Sequence, residues 1–295
     1  MSEPQPLTPP AVGLAIFLYT LWGSMYIATK FGYRDASPLL FSGLRMIPAS
    51  LTLLLLAWWN HLSLGLTRRQ WRIVIAFSAL FFVDTCFLYL GLNYTSVGHA
   101  TILINSSVIF VMLLSRPVLG ARVRLLQWIG VAGAFFGIAL VMRDRGAQGS
   151  SVSLLGDLLI ITAGLFWALY NVAYKRIGRE VQSTVLIFYM DLLTMVPFML
   201  AAPLVERVRF TATASLAVSV VYVAVFTHVV GFLLHNWLLR HYDASRVSAF
   251  MFIMPLAGVV LGAAVFGEQI GLWVLSGLAF VCSGIYLANR APRRR

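Results

Sequence analysis

The chain has 295 residues, of which 60% are hydrophobic and 11% charged, and its formal net charge is +12. A typical soluble domain is roughly 25% charged, so this composition excludes a water-soluble globular protein and predicts an all-α integral membrane protein; the mean hydropathy of +0.86 agrees. The positive balance predicts contact with anionic lipid headgroups rather than a nucleic-acid partner.

Apolar runs near the roughly 20 residues that cross about 30 Å of hydrocarbon predict helices over 11–31, 37–59, 70–91, 96–117 and 122–142. Five more follow over 153–174, 182–203, 213–237, 243–266 and 269–290. Ahead of the first run stand Glu3 and no Lys or Arg, with no small-x-small cleavage pattern, which predicts a retained helix rather than a signal peptide. Pro48, Pro197 and Pro255 fall inside predicted helices, where each removes a backbone hydrogen bond and can place a bend.

The two sets of five echo one another. Trp22 and Lys30 recur as Trp167 and Lys175, Pro48 as Pro197, Tyr94 as Tyr242, and Gly130 with Gly137 as Gly277 with Gly284, at offsets of 145 to 149 residues. Such self-similarity predicts a duplicated unit, with residues 1–145 as one repeat, 146–152 as a Gly- and Ser-rich linker, and 153–295 as the other. An odd number of crossings per repeat turns the second upside down, so the expectation is ten transmembrane helices in two inverted five-helix repeats. The paired glycines are read as surfaces for close helix packing.

With the N-terminus inside, cytoplasmic segments hold fifteen Lys and Arg and outer segments six, the remaining one being Arg45 within helix 2. The positive-inside rule therefore predicts both termini in the cytoplasm of a cell (inner) membrane protein. Cys86 and Cys282 fall in apolar runs with no ligand spacing, which predicts buried thiols and no disulfide.

Charges retained inside a span cost roughly 2.5–3.5 kcal/mol on insertion scales and usually face a cavity or a partner. Arg45, Asp84 and Asp191 are the deep ones. Helix 1 carries Trp22 and Tyr26 on one face, and helix 6 answers with Trp167 and Asn171, so a planar or amphipathic solute could stack and hydrogen-bond between them. His99 and Asn105 in helix 4 and His235 in helix 8 complete the candidate substrate-binding set. His228 shares a face with His235 but lies seven residues away, about 10 Å along a helix, too far for one metal ion. Asp157, in the first turn of helix 6, and Glu268, at the start of helix 10, are explained as charges on helix N-termini.

Trp22-Gly23-Ser24, Gly156-Asp157 followed by Trp167-Ala168, and Pro255 with Gly267-Glu268 resemble the EamA branch of the drug/metabolite transporter superfamily. The first half departs from that pattern, with Val108 in place of the proline and Ala121 in place of the glutamate, so the family's Pro and Glu carry over only to Pro255 and Glu268. The resemblance implies ten helices around a central cavity and alternating access to amino acids, related metabolites or drugs.

No HExxH, GxSxG or phosphate-binding glycine loop is present, which argues against an enzyme. The expectation is a secondary transporter, exporting an amino acid or related amphipathic compound, with no cofactor and no metal. Its partners are the small-molecule substrate and the lipid bilayer, with proton coupling, direction and oligomeric state left open. A passive facilitator and a multidrug exporter remain the alternatives.

Overall fold

The structure is a computed structural model and describes residues 8–119, 125–143, 153–242 and 249–289. The first half contains α1 (Pro9–Gly32), α2 (Pro38–Trp59), α3 (Arg68–Asn93), α4 (Val97–Leu103), α5 (Ser106–Leu119) and α6 (Leu125–Arg143). The second contains α7 (Leu154–Ile177), α8 (Ser183–Val205), and α9 (Ala214–Val221) running through a π-helical stretch (Tyr222–Val230) into α10 (Gly231–His241). A 3-10 turn (Ala249–Phe252), α11 (Ile253–Phe266) and α12 (Leu272–Asn289) complete it. Among the described residues six helices are long and apolar enough to cross a membrane, and four shorter apolar helices accompany them. The predicted linker 146–152 and the predicted helical residues 243–248 lie outside the described residues.

Local chemistry sets where the helices begin. Proline opens α1 and α2, where its missing N–H would have no intrahelical partner. A capping box of Thr67 and Gln70 starts α3, while Ser96, Ser153, Gln182 and Thr213 each accept a backbone N–H from the first turn of α4, α7, α8 and α9.

Three features differ from the sequence reading. The helix expected over 96–117 is interrupted at Ile104–Asn105, where backbone bonds tighten to three residues, as in Asn105 N–H to Ile102 O and Val108 N–H to Asn105 O. Side chains compete there for the helical carbonyls: Asn105 Nδ2 donates to Thr101 O, and Thr101 Oγ1 donates to Val97 O. Pro255 is the third residue of α11 rather than an interior one, so it costs the helix no bond, whereas Pro48 and Pro197 do lie within α2 and α8. The helix expected over 213–237 is continuous, but its middle is π-helical.

The principal packing partners cross between the halves: α2 on α8, α6 on α12, α1 on α11, and α3 and α5 on α7. Gly137 and Gly284 allow the α6–α12 backbones to meet, since a Cβ added at either would stand 2.6 Å or 2.5 Å from the carbonyl oxygen of Gly277 or Gly130. Gly284→Val is therefore expected to force these helices apart at a cost of roughly 1–3 kcal/mol. Thermal unfolding of the purified protein in detergent measures that loss, and an unchanged midpoint would contradict the close approach.

Large rings such as Tyr19, Tyr26, Tyr89, Tyr170 and Phe77 are buried within the bundle, while Leu55, Trp58, Trp59, Leu204 and Leu272 cover its exterior. The connections gather at two ends. At one, called here the Glu268 end, Ser37 N–H donates to Arg209 O, Arg209 donates to Tyr33 O, and Lys30 Nζ donates to Thr95 O. At the opposite, Arg69 end, Arg69 pairs with Glu180 at 2.7 Å and Tyr189 Oη donates to Leu64 O.

Candidate functional site

Between the halves lies a cavity of about 90 Å³. Its walls come from α1 (Trp22, Tyr26), α2 (Arg45), α3 (Phe81, Asp84, Tyr89), α7 (Trp167), the π stretch (Thr227, His228), and the two helix interruptions, through Ile104 and Ser107 on one side and Met251 and Met254 on the other.

One wall is aromatic. Trp22 donates its indole N–H to Thr227 O at 2.9 Å and meets Trp167 edge-on at 6.0 Å. Trp167 stacks on Tyr170 at 5.3 Å with an interplanar angle of 2°, and Tyr170 stacks on Tyr174. The opposite wall carries charge. Arg45 is buried with its guanidinium 5.0 Å from the Tyr89 ring centre and 5.8 Å from that of Phe81, and cation–π attraction holds it there. Its Nε and the Oδ1 of buried Asp84 have no hydrogen-bond partner among the described residues. Beside them His228 Nε2 stands 2.8 Å from Asp191 Oδ1, with both side chains buried.

Of the predicted residues, Trp22, Tyr26, Arg45, Asp84 and Trp167 line the cavity. Asp191 lies behind it and reaches it through His228. Asn171 and His235 support the aromatic wall: Asn171 Oδ1 is 3.5 Å from His235 Nε2, and the His235 ring packs 5.1 Å from Trp22. His99 and Asn105 are not among the lining residues. His99 stands 3.4 Å from Asp157, which also accepts from Thr95 Oγ1, and Asn105 turns its amide onto its own helix. The aromatic spacing in α1 and α7 was legible because each stays helical throughout; His228 carried no signal beyond a single histidine in an apolar run.

Glu268 does more than the dipole reading assigned to it. Its Oε1 accepts Val97 N–H at 2.8 Å and its Oε2 accepts Gly98 N–H at 2.9 Å, so it caps α4 of the other half instead of α12. Glu206 repeats the device at α2, where its Oε1 accepts Leu39 N–H and Leu40 N–H at 3.0 and 3.2 Å. Both carboxylates meet helix N-termini, where backbone donors and the helix dipole favour negative charge. Cys86 and Cys282 are both free thiols. Among the described residues no group of three or more His, Cys, Asp or Glu could hold a metal ion.

An apolar exterior wrapped around a buried polar and aromatic cavity is the arrangement of a membrane protein with a polar site inside its bundle. The sequence profile of the EamA-like transporter family matches residues 9–143 and again 154–290. The chain belongs to the EamA-like transporter family. It is 25% identical over 291 residues to a Bacillus subtilis protein named uncharacterized transporter YoaV, covering 96% of this chain and 98% of that one. A probable amino-acid metabolite efflux pump of Escherichia coli K12 is 23% identical over 284 residues, covering 93% of each chain. A solved crystal structure with 18% identity shares the fold at a TM-score of 0.71, covering 96% of this chain and 97% of its own.

Proposed function

We propose that the protein is a secondary transporter that exports a small zwitterionic or amphipathic metabolite, an amino acid above all, by alternating access between two inverted five-helix repeats. The observation that carries this reading is a buried guanidinium and a buried carboxyl group, Arg45 and Asp84, that face one cavity with a polar atom each left unpartnered among the described residues. A guanidinium can fork onto a carboxylate and a carboxylate can take an ammonium, while Trp22, Tyr26 and Trp167 supply faces for a side chain. A phosphorylated cargo would call for several cations. Here Lys30 is spent on Thr95 O and Lys175 is exposed at the Arg69 end. A purely lipophilic drug would leave Arg45 without work.

The twofold relation is supported by the double family match and by the packing pattern. α5 and α11 begin 147 residues apart (253 − 106), next to interruptions that both border the cavity. The packing of α1 on α11 is mirrored by that of α7 on α5. The charge distribution of the loops supports placing the Glu268 end outside and both termini in the cytoplasm. A cavity of about 90 Å³ has room for only a few waters, so its walls have to part before cargo enters. Export is supported by the name of the Escherichia coli relative.

The test is uptake of radiolabelled amino acids into proteoliposomes by wild type, Trp22→Ala, Trp167→Ala and Asp84→Asn. Each variant is expected to lose at least tenfold in flux at normal expression. Undiminished flux in all three would place the cargo elsewhere. Equilibration of label without accumulation under any imposed gradient would favour the passive facilitator.

A further inference from the structure

A second opening lies on the outer surface of the bundle. Ser24, Ala28 and Phe31 follow one another at four and three residues along α1, and Ser215, Ser219 and Tyr222 do the same along α9 into the π stretch, so each set forms one face of its helix. Small side chains on both faces leave a groove of about 510 Å³ between the two helices, with Leu261 of α11 at its back. None of its lining residues is shared with the central cavity. The groove opens outward: Val218 on its lip is 68% exposed, and Val221 and Phe226 farther along are exposed as well. Both helices are long and apolar enough to cross a membrane, so the groove faces hydrocarbon. An empty space of that size would cost its lining the dispersion contacts of one side, and the surrounding lipid is what can restore them.

We propose that this groove binds one acyl chain of an anionic phospholipid from the leaflet at the Glu268 end, with the lipid phosphate held by Arg34. The floor suits a chain without polar groups. The one hydroxyl proton of Ser24 goes to Leu21 O at 2.7 Å, which leaves Tyr222 Oη, 2.7 Å from Ser24 Oγ, as the donor in the second bond. Both protons are therefore spent inside the protein, and a hydrocarbon chain lying over them strands no donor. From Phe31 to Ser24 is seven residues, about 10 Å along a helix, so the groove runs from the end of α1 into the membrane.

The mouth supplies the charge. Arg34 lies just past the end of α1, exposed, with its guanidinium 4.6 Å from the centre of the Phe31 ring that forms the groove's outer wall. Its neighbours are already engaged: Lys30 donates to Thr95 O, Arg209 donates to Tyr33 O, and Asp35 accepts from Thr213 Oγ1 at 2.5 Å. Among the described residues no carboxylate pairs with Arg34. A cation above an apolar groove matches the plan of a phospholipid, and a guanidinium can fork onto its phosphate. A soluble anion would leave the groove unfilled, and a lipid without net charge would leave the charge of Arg34 uncompensated. Lipid binding here is independent of what the central cavity carries.

The purified protein is incubated in detergent with phosphatidylglycerol bearing a photoreactive diazirine on one acyl chain, irradiated, and the labelled residues are located by peptide mass spectrometry. In wild type the label is expected to concentrate on residues 24–31 and 214–222, at least fivefold above the exposed face of α2 around Leu51 and Leu55. Ala28→Phe fills the groove and is expected to cut that labelling at least fivefold; Val218→Trp, at an exposed position on the lip, takes its place if Ala28→Phe lowers the thermal midpoint. Unlabelled phosphatidylglycerol is expected to compete at least threefold better than phosphatidylcholine in wild type, and no better in Arg34→Gln. Label spread evenly over the exterior, or undiminished in the filled variants, would mean that lipid only coats the bundle, and the site falls. Equal competition by the two lipids in wild type, or a preference that survives in Arg34→Gln, overturns the assignment of the headgroup to Arg34.

Discussion

Arg45→Ala is expected to lower transport at least a hundredfold, the largest single-residue effect on flux in this protein. Arg45 is the cationic member of the cavity wall, and two aromatic faces hold its guanidinium where a carboxylate could meet it. A hundredfold loss corresponds to about 2.7 kcal/mol, within the range for a hydrogen bond to a charged group. Truncation also leaves Asp84 facing the cavity without a counter-charge. Removing a cation from beside a buried carboxyl group is destabilising, so part of the loss will register as instability. The double variant Arg45→Ala with Asp84→Asn separates the two effects, because it removes the stranded carboxylate along with the cation. Its thermal midpoint in detergent is expected to recover toward wild type while its flux stays low. Wild-type flux in Arg45→Ala would remove the residue from the cargo site, and recovery of flux in the double variant would make the pair structural.

Glu268→Ala is expected to open the Glu268 end. The carboxylate satisfies two backbone donors at the start of α4, and Gly98 and Gly262 leave it room, since a Cβ at Gly262 would lie 2.6 Å from Oε2. Each hydrogen bond to a charged group contributes about 1.5–3 kcal/mol, enough to shift a two-state population by one to two powers of ten. Because the bond joins turn 267–271 of the second half to α4 of the first, it is expected to favour, in the proposed alternating-access cycle, the state closed at this end. The measurement is labelling of Ala100→Cys, a buried position one turn below the cap, with Cys86 and Cys282 replaced by Ser. A membrane-impermeant thiol reagent added outside cells is expected to label this cysteine at least tenfold faster in Glu268→Ala. An unchanged rate would show that the cap does not hold the closed state. Reaction only with reagent supplied from the cytoplasmic side would reverse the orientation.

Properties that depend on neighbours in sequence were legible without coordinates. The apolar runs placed helix starts at 153 and 213, where Ser153 and Thr213 cap the first turn, and at 70, two residues inside the helix that Thr67 caps. The membrane class follows from transfer free energy, which sums over residues whatever their arrangement. Trp22 with Tyr26, and Arg45 with Asp84, could be placed on a cavity because a 3.6-residue period defines a face and lipid penalises charge. That period says which residues of one helix look the same way, and it is silent on which helix they meet. The partner of Glu268 lies 170 residues away on a backbone with no distinguishing side chain. Asp191 finds His228 from a π-helical stretch that ordinary helical periodicity does not anticipate. His99 and Asn105 looked equally suited to a cavity, yet Asp157 stands against the first and Thr101 engages the second, so neither lines the site. The interruption at Ile104–Asn105 needed no proline, and Pro255 became the first turn of a helix instead of a bend within one. Local propensity and hydropathy thus determined that this chain crosses a membrane and which faces carry chemistry; packing between the two halves decided which of those polar groups share a cavity, because only there do the long-range hydrogen bonds and charges find their partners.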